Sequence, residues 1–485
     1  MTDLHINGVW IAAHDGAERE IFCPADGTLV KKVDEAGPAD AQAAIDAARS
    51  AFDSGWWTQV SVIERGLILE RTADLIEERL EQFAHAESMD TGKRIVEARY
   101  DIADSIRCIR YFAQLGPTFS GRSVDTGDSH IQSRVQYEPV GVAVLITPWN
   151  YPLLQAVWKV APAIAAGCTF VLKPSELTPS TSIVFMQALV DAGLPPGVGN
   201  LVLGAGTSIG ETLTSSSKVD MVSFTGGLET GKRVMASAAA TIKKVALELG
   251  GKNPNIIFAD ADLEAALDNA LTAIFLHSGQ VCSAGSRLII EQSIHDSFVQ
   301  EFVERAKKIR LGGPFDESAE TGALISEAHR NKVHTFVEKG VSEGATLLCG
   351  GEIPEGAGYF YPPTILANCT THMSCVQEES FGPVVTIETF TTEEQAIALA
   401  NDTYYGLAGA VWTQNAGKSQ RVANALRHGT IWINDFHPYV PQAEWGGFKQ
   451  SGIGRELGPN GLLEYLEAKH VYHNTSPAPS GWFGA

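Results

Sequence analysis

Between residues 39 and 115 apolar positions return every three or four residues, with acids and bases filling the gaps. AQAAIDAARSAF, RGLILERTADLIEERLEQFAHA and VEARYDIADSIRCIRYFAQL each carry that spacing, which predicts amphipathic helices. HIQSRVQY (130–137) alternates instead and reads as a strand. From Val142 the pattern changes again. VAVLI (142–146), TFVLK (169–173), NLVLG (200–204) and DMVSF (220–224) are short apolar runs, each followed by a turn and a helical stretch. Runs apolar on both faces, alternating with helices, predict a parallel sheet covered on both sides. The theme restarts near ALELGG (246–251) and continues through NIIF, a helix around DLEAALDNALTAIF, the strand RLIIE and a long helix to Arg310. The expected fold class is α/β, with two tandem doubly wound domains. The tail YLEAKHVYHNT reads as a strand that pairs outside its own domain. No internal repeat or low-complexity tract interrupts this order.

Composition excludes several functions. A chain of 485 residues allows two or three domains. With 36 Lys and Arg against 57 Asp and Glu, the formal net charge is −21. Such a surface repels phosphate backbones, which speaks against a nucleic-acid partner, and attracts cationic small molecules. The seven cysteines are odd in number, recur at no fixed spacing and form no CxxC pair, and there is no HExxH. Neither a disulfide framework nor a metal site is expected. The start, MTDLHINGVWIAAHDGAE, lacks the basic-then-apolar order of a secretory signal. The most apolar stretch, GVAVLITPWNYPLLQAVWKVAPAIAAG, is broken by three prolines and an asparagine. The expectation is a cytoplasmic protein without membrane contact.

Several short stretches carry candidate chemistry. In SFTGGLETGKR, Gly226 to Lys232 fits the start of a nucleoside-triphosphate loop, but Arg233 stands where Ser or Thr must hold Mg²⁺. A Gly226–Gly227 turn between strand and helix still lets backbone N–H groups approach a pyrophosphate, though it also fits a plain turn. Lys173 and Glu176, in KPSE, follow an apolar strand. A carboxylate there accepts from adenosine ribose hydroxyls and repels a 2′-phosphate, which favours NAD over NADP. In GQVCSAGSR, Cys282 has only small neighbours. Glu248 ends an apolar run in ELGGKNP, and Asn150 sits at the strand-to-helix turn PWNYP. A structural carboxylate and a helix N-cap would explain the last two as well. Nucleophile, base and amide donor are also the three parts that thiol attack on a carbonyl requires.

ELGGKNP, GQVCSAGSR, PWNYP, KPSE, SFTGG, EESFGPV and SGIGRELG together resemble the NAD(P)-dependent aldehyde dehydrogenase superfamily. They occur in that family's order over nearly the whole chain. The resemblance implies a Rossmann-like cofactor domain (1–120 and 141–248), a catalytic domain (249–450), and a small β oligomerisation arm with a C-terminal tail (121–140 and 451–485). It also implies a homo-dimer or homo-tetramer. Cys282 would attack the aldehyde, Asn150 would hold the oxyanion, and Glu248 would activate the water that hydrolyses the thioester. Lys159 and Glu456 resemble a proton-exit route. Trp149, Lys173, Glu176, Gly226, Gly227, Leu249, Glu379 and Phe381 would bind the cofactor, NAD in preference to NADP.

Tyr151 and Trp158 are seven residues apart at the start of a predicted helix, so their rings can share a face. Core packing is the plainer reading. Tyr439 and Trp445 follow in FHPYVPQAEWGG. In the branch of the family that oxidises betaine aldehyde to glycine betaine, positions matching Tyr151, Trp158 and Trp445 form an aromatic cage for a trimethylammonium group, which ring faces hold well. A broader enzyme for ω-aminoaldehydes or aliphatic and aromatic aldehydes is the alternative. Two positions depart from the branch. Leu276 stands where plant members carry a further tryptophan, and Glu444 where the family usually has proline. Where Glu444 points is not legible.

Overall fold

The structure, a computed structural model, describes residues 2–483. The helical spacing of residues 39–115 appears as Pro38–Asp53, Val62–Glu78, Leu80–Thr91 and Ile95–Thr118, joined early on by a short turn at Trp56–Gln59. Ser61 and Glu64 cap the second of these reciprocally, the Ser61 hydroxyl accepting from the Glu64 N–H at 3.2 Å. One expected helix over 65–86 is thus two. Arg79 leaves helical geometry between them (φ −106°, ψ 20°) while its guanidinium reaches Asp191 at 2.9 Å. No glycine or proline marks that break, so the pattern alone could not show it.

The apolar runs form the centre of an eight-stranded sheet. Its order is Gly452–Ile453, Lys244–Glu248, Met221–Thr225, Val142–Ile146, Thr169–Lys173, Gly199–Leu201, Leu4–Ile6 and Val9–Ile11. The five central strands run parallel and the edges antiparallel. From Val142–Ile146 the chain builds outward on one side, then returns to build on the other. That reversal lies between Val142–Ile146 and Met221–Thr225, where open α/β sheets form a ligand crevice at the strand C-termini.

A second sheet of seven strands contains Thr346–Cys349, Thr364–Ala367, Val384–Phe390, Arg287–Glu291, Pro254–Ile257, Ala408–Trp412 and Thr430–Ile433. All neighbours are parallel except the first pair. Its helices include Leu263–Phe275 and His295–Ala306; the latter stops short of the expected Arg310. The tail strand Leu466–Asn474 pairs antiparallel with Ile131–Pro139 over nine residues, and Arg122–Val124 completes this three-stranded arm. Of the residues expected with the arm and tail, 452–453 instead join the edge of the first sheet, and the helix Gly458–Leu463 packs on Pro152–Ala166 and Ile95–Thr118 as well as on the tail strand. Gly452 and Ile453 pair with Glu248 and Leu247, and the Leu249 N–H donates to the Ser451 carbonyl at 2.9 Å. A short strand fragment completing an edge leaves no periodic signal in the sequence.

Candidate active site

Glu248 is the last residue of its strand, beside Thr225 in register, at the C-terminal end of the first sheet. Cys282 lies in the loop entering Arg287–Glu291, at the N-terminal end of the second sheet. The two sheets therefore present base and thiol to each other across their junction. The loop before Cys282 is tightly wound: His277, Ser278 and Gly279 have φ of 48°, 52° and 70°. The surroundings hold this left-handed run in place. The His277 N–H donates to Glu97 (3.0 Å), and Ser278 donates through its N–H to Thr321 (2.9 Å) and through its hydroxyl to the Gly322 carbonyl (2.6 Å). A Cβ on Gly279 would come within 2.2 Å of the Gly382 carbonyl oxygen, so no other residue fits. Downstream, the Asn253 amide donates to the carbonyls of Cys282 and Ala284, both at 2.9 Å.

Asn150 is buried in the turn between Ile146 and the helix Pro152–Ala166. One N–H of its amide donates to the Gln280 carbonyl at 2.8 Å, tying the turn to the cysteine loop. An amide has a second N–H, which stays free to serve a reacting oxygen. Burial raises the Glu248 carboxyl well above its ordinary pKa and Glu456 adds to the shift, while Lys159 and Arg455 oppose it. Its Oε1 has no hydrogen-bond partner among the described residues. Burial also raises the Cys282 thiol, with Glu248 and Glu379 adding to it.

Cys282 stands where two cavities meet. The first, about 210 Å³, runs over the crevice and is lined by Trp149, Asn150, Gly226, Gly227, Glu248, Leu249, Glu379 and Phe381. Gly227 caps the helix Leu228–Ala239 and leaves open the space of a missing Cβ; a Cβ on Gly226 would meet the Phe224 ring at 2.5 Å. The turn thus presents backbone and a helix N-terminus to the cavity, as a pyrophosphate requires. Glu379 accepts from the Gly251 N–H at 3.0 Å, and burial pushes its pKa up to about 7. The donor set fits a dinucleotide. Lys173 and Glu176 do not line this cavity. They stand together at the end of Thr169–Lys173, the neighbouring strand, Nζ to Oε2 3.5 Å apart. Lys159 and Glu456 also lie outside both cavities, as a buried ion pair, with Lys159 donating to Ser223 at 3.1 Å.

The second cavity, about 460 Å³, is lined by Tyr151, Trp158, Leu276, Tyr439 and Trp445 with Cys282 at its inner end. Trp158 meets Tyr439 at 5.3 Å and Trp445 at 5.9 Å between ring centres, and Tyr439 meets Trp445 at 6.4 Å, all edge to face. Tyr151 lies apart from this triad, its ring 5.5 Å from that of His277. Glu444 is absent from the lining. It turns toward the helix Gly458–Leu463 and accepts from the Asn460 N–H at 3.4 Å. Glu97, Asp101 and Asp104 of the helix Ile95–Thr118, which no sequence motif picked out, line the same cavity, where Lys93 pairs with Asp101 and Arg107 with Asp104. The acids' spacing of four and three places them on one face, and Glu97 and Asp101 are buried although acidic. In the sequence that spacing reads equally as a solvated face, so it did not set them apart.

These features correspond to a known family. The model of the aldehyde dehydrogenase family matches residues 10–471. The chain belongs to that family. It is 54% identical over 486 residues to betaine aldehyde dehydrogenase of Bacillus subtilis (strain 168), covering 99% of each. It is 42% identical to aminoaldehyde dehydrogenase 2 of Zea mays, covering 99% of this chain and 97% of the relative. A crystal structure of betaine aldehyde dehydrogenase from Staphylococcus aureus in complex with NAD+ superposes with a TM-score of 0.98 at 49% identity, covering 100% of this chain and 97% of that one. The chain is an aldehyde dehydrogenase of two doubly wound α/β sheets with a β arm. Among the described residues no helix is long and apolar enough to cross a membrane.

Proposed function

We propose that the chain oxidises betaine aldehyde to glycine betaine with NAD. The observation that carries this is the Trp158–Tyr439–Trp445 triad opening onto Cys282, with Asp101 and Asp104 in the same cavity. A quaternary ammonium donates no hydrogen bond, so ring faces and nearby carboxylates are its natural hosts. Named relatives with that substrate and with bound NAD+ support the same reading.

The aldehyde enters with its cation among the rings and its carbonyl at Cys282. Glu248 takes the thiol proton. The thiolate attacks the carbonyl carbon, and the free Asn150 N–H with the Cys282 backbone N–H holds the oxyanion. When NAD is bound in the first cavity, the hydride of that carbon has an acceptor and Cys282 is left carrying a thioester. Lys159 and Glu456 draw the thiol proton off Glu248, which then takes a proton from water as that water attacks the thioester, freeing the acid and returning Cys282 as a thiolate. The water's proton leaves by the same pair. Trp149, Leu249 and Phe381 wall the nicotinamide side, Glu379 accepts from ribose hydroxyls, the Gly226–Gly227 turn faces the pyrophosphate, and Lys173 with Glu176 meets the adenosine ribose.

Residues 1–120 and 141–248 serve as the cofactor domain and 249–450 as the catalytic domain. The arm, whose tail strand is mostly exposed, joins copies into a homo-dimer or homo-tetramer. The seven cysteines, all free, fit a reducing cytoplasmic setting. Asp101 and Asp104 also favour a second substrate class, ω-aminoaldehydes, whose ammonium donates to carboxylates.

The test is kcat/KM for betaine aldehyde, aminobutyraldehyde, hexanal and benzaldehyde with NAD and with NADP. Betaine aldehyde with NAD is expected to lead. Equal efficiency on hexanal ends the assignment, and a lead for aminobutyraldehyde moves it to the second class.

A further inference from the structure

Lys93 lies in the turn between Leu80–Thr91 and Ile95–Thr118, fully buried, and no step above uses it. Its ammonium has three N–H groups and three acceptors. It donates to the Asn150 carbonyl at 2.8 Å, to Asp101 at 2.6 Å and to Glu87 at 3.3 Å. It also stands 4.5 Å from the centre of the Tyr151 ring. Burial disfavours the charge, but Asp101, Glu87 and Glu97 outweigh it and raise the ammonium above the ordinary lysine pKa. A permanent cation therefore grips the peptide that joins Asn150 to Tyr151.

We propose that Lys93 is a positioning residue for the oxyanion site, holding the Asn150 peptide by its carbonyl while the Asn150 amide faces Cys282. This rests on the reading of Asn150 as oxyanion donor. The residue is fixed at two points. The Gln280 carbonyl takes one side-chain N–H, and Lys93 takes the main-chain oxygen. With the second point gone, the 150–151 peptide can rotate, and the free N–H no longer lies where the oxyanion forms. A group preorganised for a transition state loses rate when it must be ordered during the reaction. Lys93 makes no bond to Cys282, but it lines the aldehyde cavity and pairs with Asp101 there. Saturating aldehyde removes the binding contribution of that pair, and what remains on the first chemical step passes through Asn150.

A double-mutant cycle on the full chain tests this, reading the rate of the first-turnover NADH burst at saturating betaine aldehyde and NAD. Asn150→Ala is expected to slow the burst about 10²- to 10³-fold. Lys93→Met is expected to slow it about ten- to a hundredfold. The double variant is expected to be no slower than Asn150→Ala alone, within about twofold. Should the double variant lose the full Lys93→Met factor on top of the Asn150→Ala loss, Lys93 acts through general packing and the proposal fails. A wild-type burst in Lys93→Met overturns it as well. An unchanged burst in Asn150→Ala overturns the oxyanion reading itself, a separate failure. If Lys93→Met does not fold, Lys93→Gln takes its place. That variant keeps a donor for the Asn150 carbonyl, so a milder loss with the same non-additivity is expected, and additivity overturns the proposal.

Discussion

A buried thiol beside two carboxylates is a poor place to keep a thiolate. Burial, Glu248 and Glu379 all push the Cys282 pKa upward. The same burial, helped by Glu456, lifts Glu248, which makes it a stronger proton acceptor than an exposed carboxylate. Both shifts move together, so proton transfer from thiol to carboxylate stays accessible. Glu248 must be ionised to act, so thioester hydrolysis is expected to fall as pH drops through a limb above the ordinary carboxylate value of about 4.3. Single-turnover hydrolysis against pH checks this, and the residual rate of Glu248→Gln is expected to lack the limb. A limb at the ordinary carboxylate value would assign the base elsewhere. The stability consequence has the opposite sense. A carboxyl raised in the fold binds its proton more tightly folded than unfolded, so its contribution shrinks as pH rises from the unfolded value through the folded one. Cys282, Glu248 and Asn150 stood out in the sequence because each lies in a short motif at a turn. Asp101 and Asp104 did not, because acids at helical spacing read as a solvated face until the helix is seen packed against the aromatic cavity.

At the level of elements, the apolar runs between Val142 and Phe224 were legible because strands buried on both faces admit little else. The edges were not. Leu4–Ile6 and Val9–Ile11 have three residues each, and His5 finds its second partner at Leu201, far along the chain. Glu18–Phe22 and Leu29–Asp34 form a hairpin whose exposed positions mix Glu18, Glu20 and Lys32 with Phe22 and Leu29, which breaks the alternation that marks a strand. The split at Arg79 falls where its side chain meets Asp191 on another helix, a contact the local sequence does not show. The tail strand was legible as a strand, whereas its partner Ile131–Pro139 could come only from the fold. The site draws on both kinds of element. Strand ends supply Glu248 and the turns after Ile146 and Thr225, while a left-handed loop with no periodic signature delivers Cys282.

For the whole molecule, charge and site agree in sign. The net charge of −21 surrounds a cavity that holds three acids, Glu97, Asp101 and Asp104, against two bases, Lys93 and Arg107. Such a field raises the local concentration of a cation and is screened by salt, over a Debye length of about 10 Å at 0.1 M. The kcat/KM for betaine aldehyde is therefore expected to decline as sodium chloride is raised, while that for a neutral aldehyde of similar size stays flat. Parallel curves would confine recognition to the rings. The double-sheet plan explains why base and thiol, 34 positions apart, come from different sheets: the active site is the seam.

The central claim is a thioester on Cys282 that Glu248 clears by activating water. Peptide mass spectrometry of Glu248→Gln, quenched after one turnover with betaine aldehyde and NAD, tests it most directly. The account expects the acyl group on the peptide carrying Cys282, and its loss in Cys282→Ala. An unmodified peptide at full turnover, or the acyl group on another residue, would contradict it.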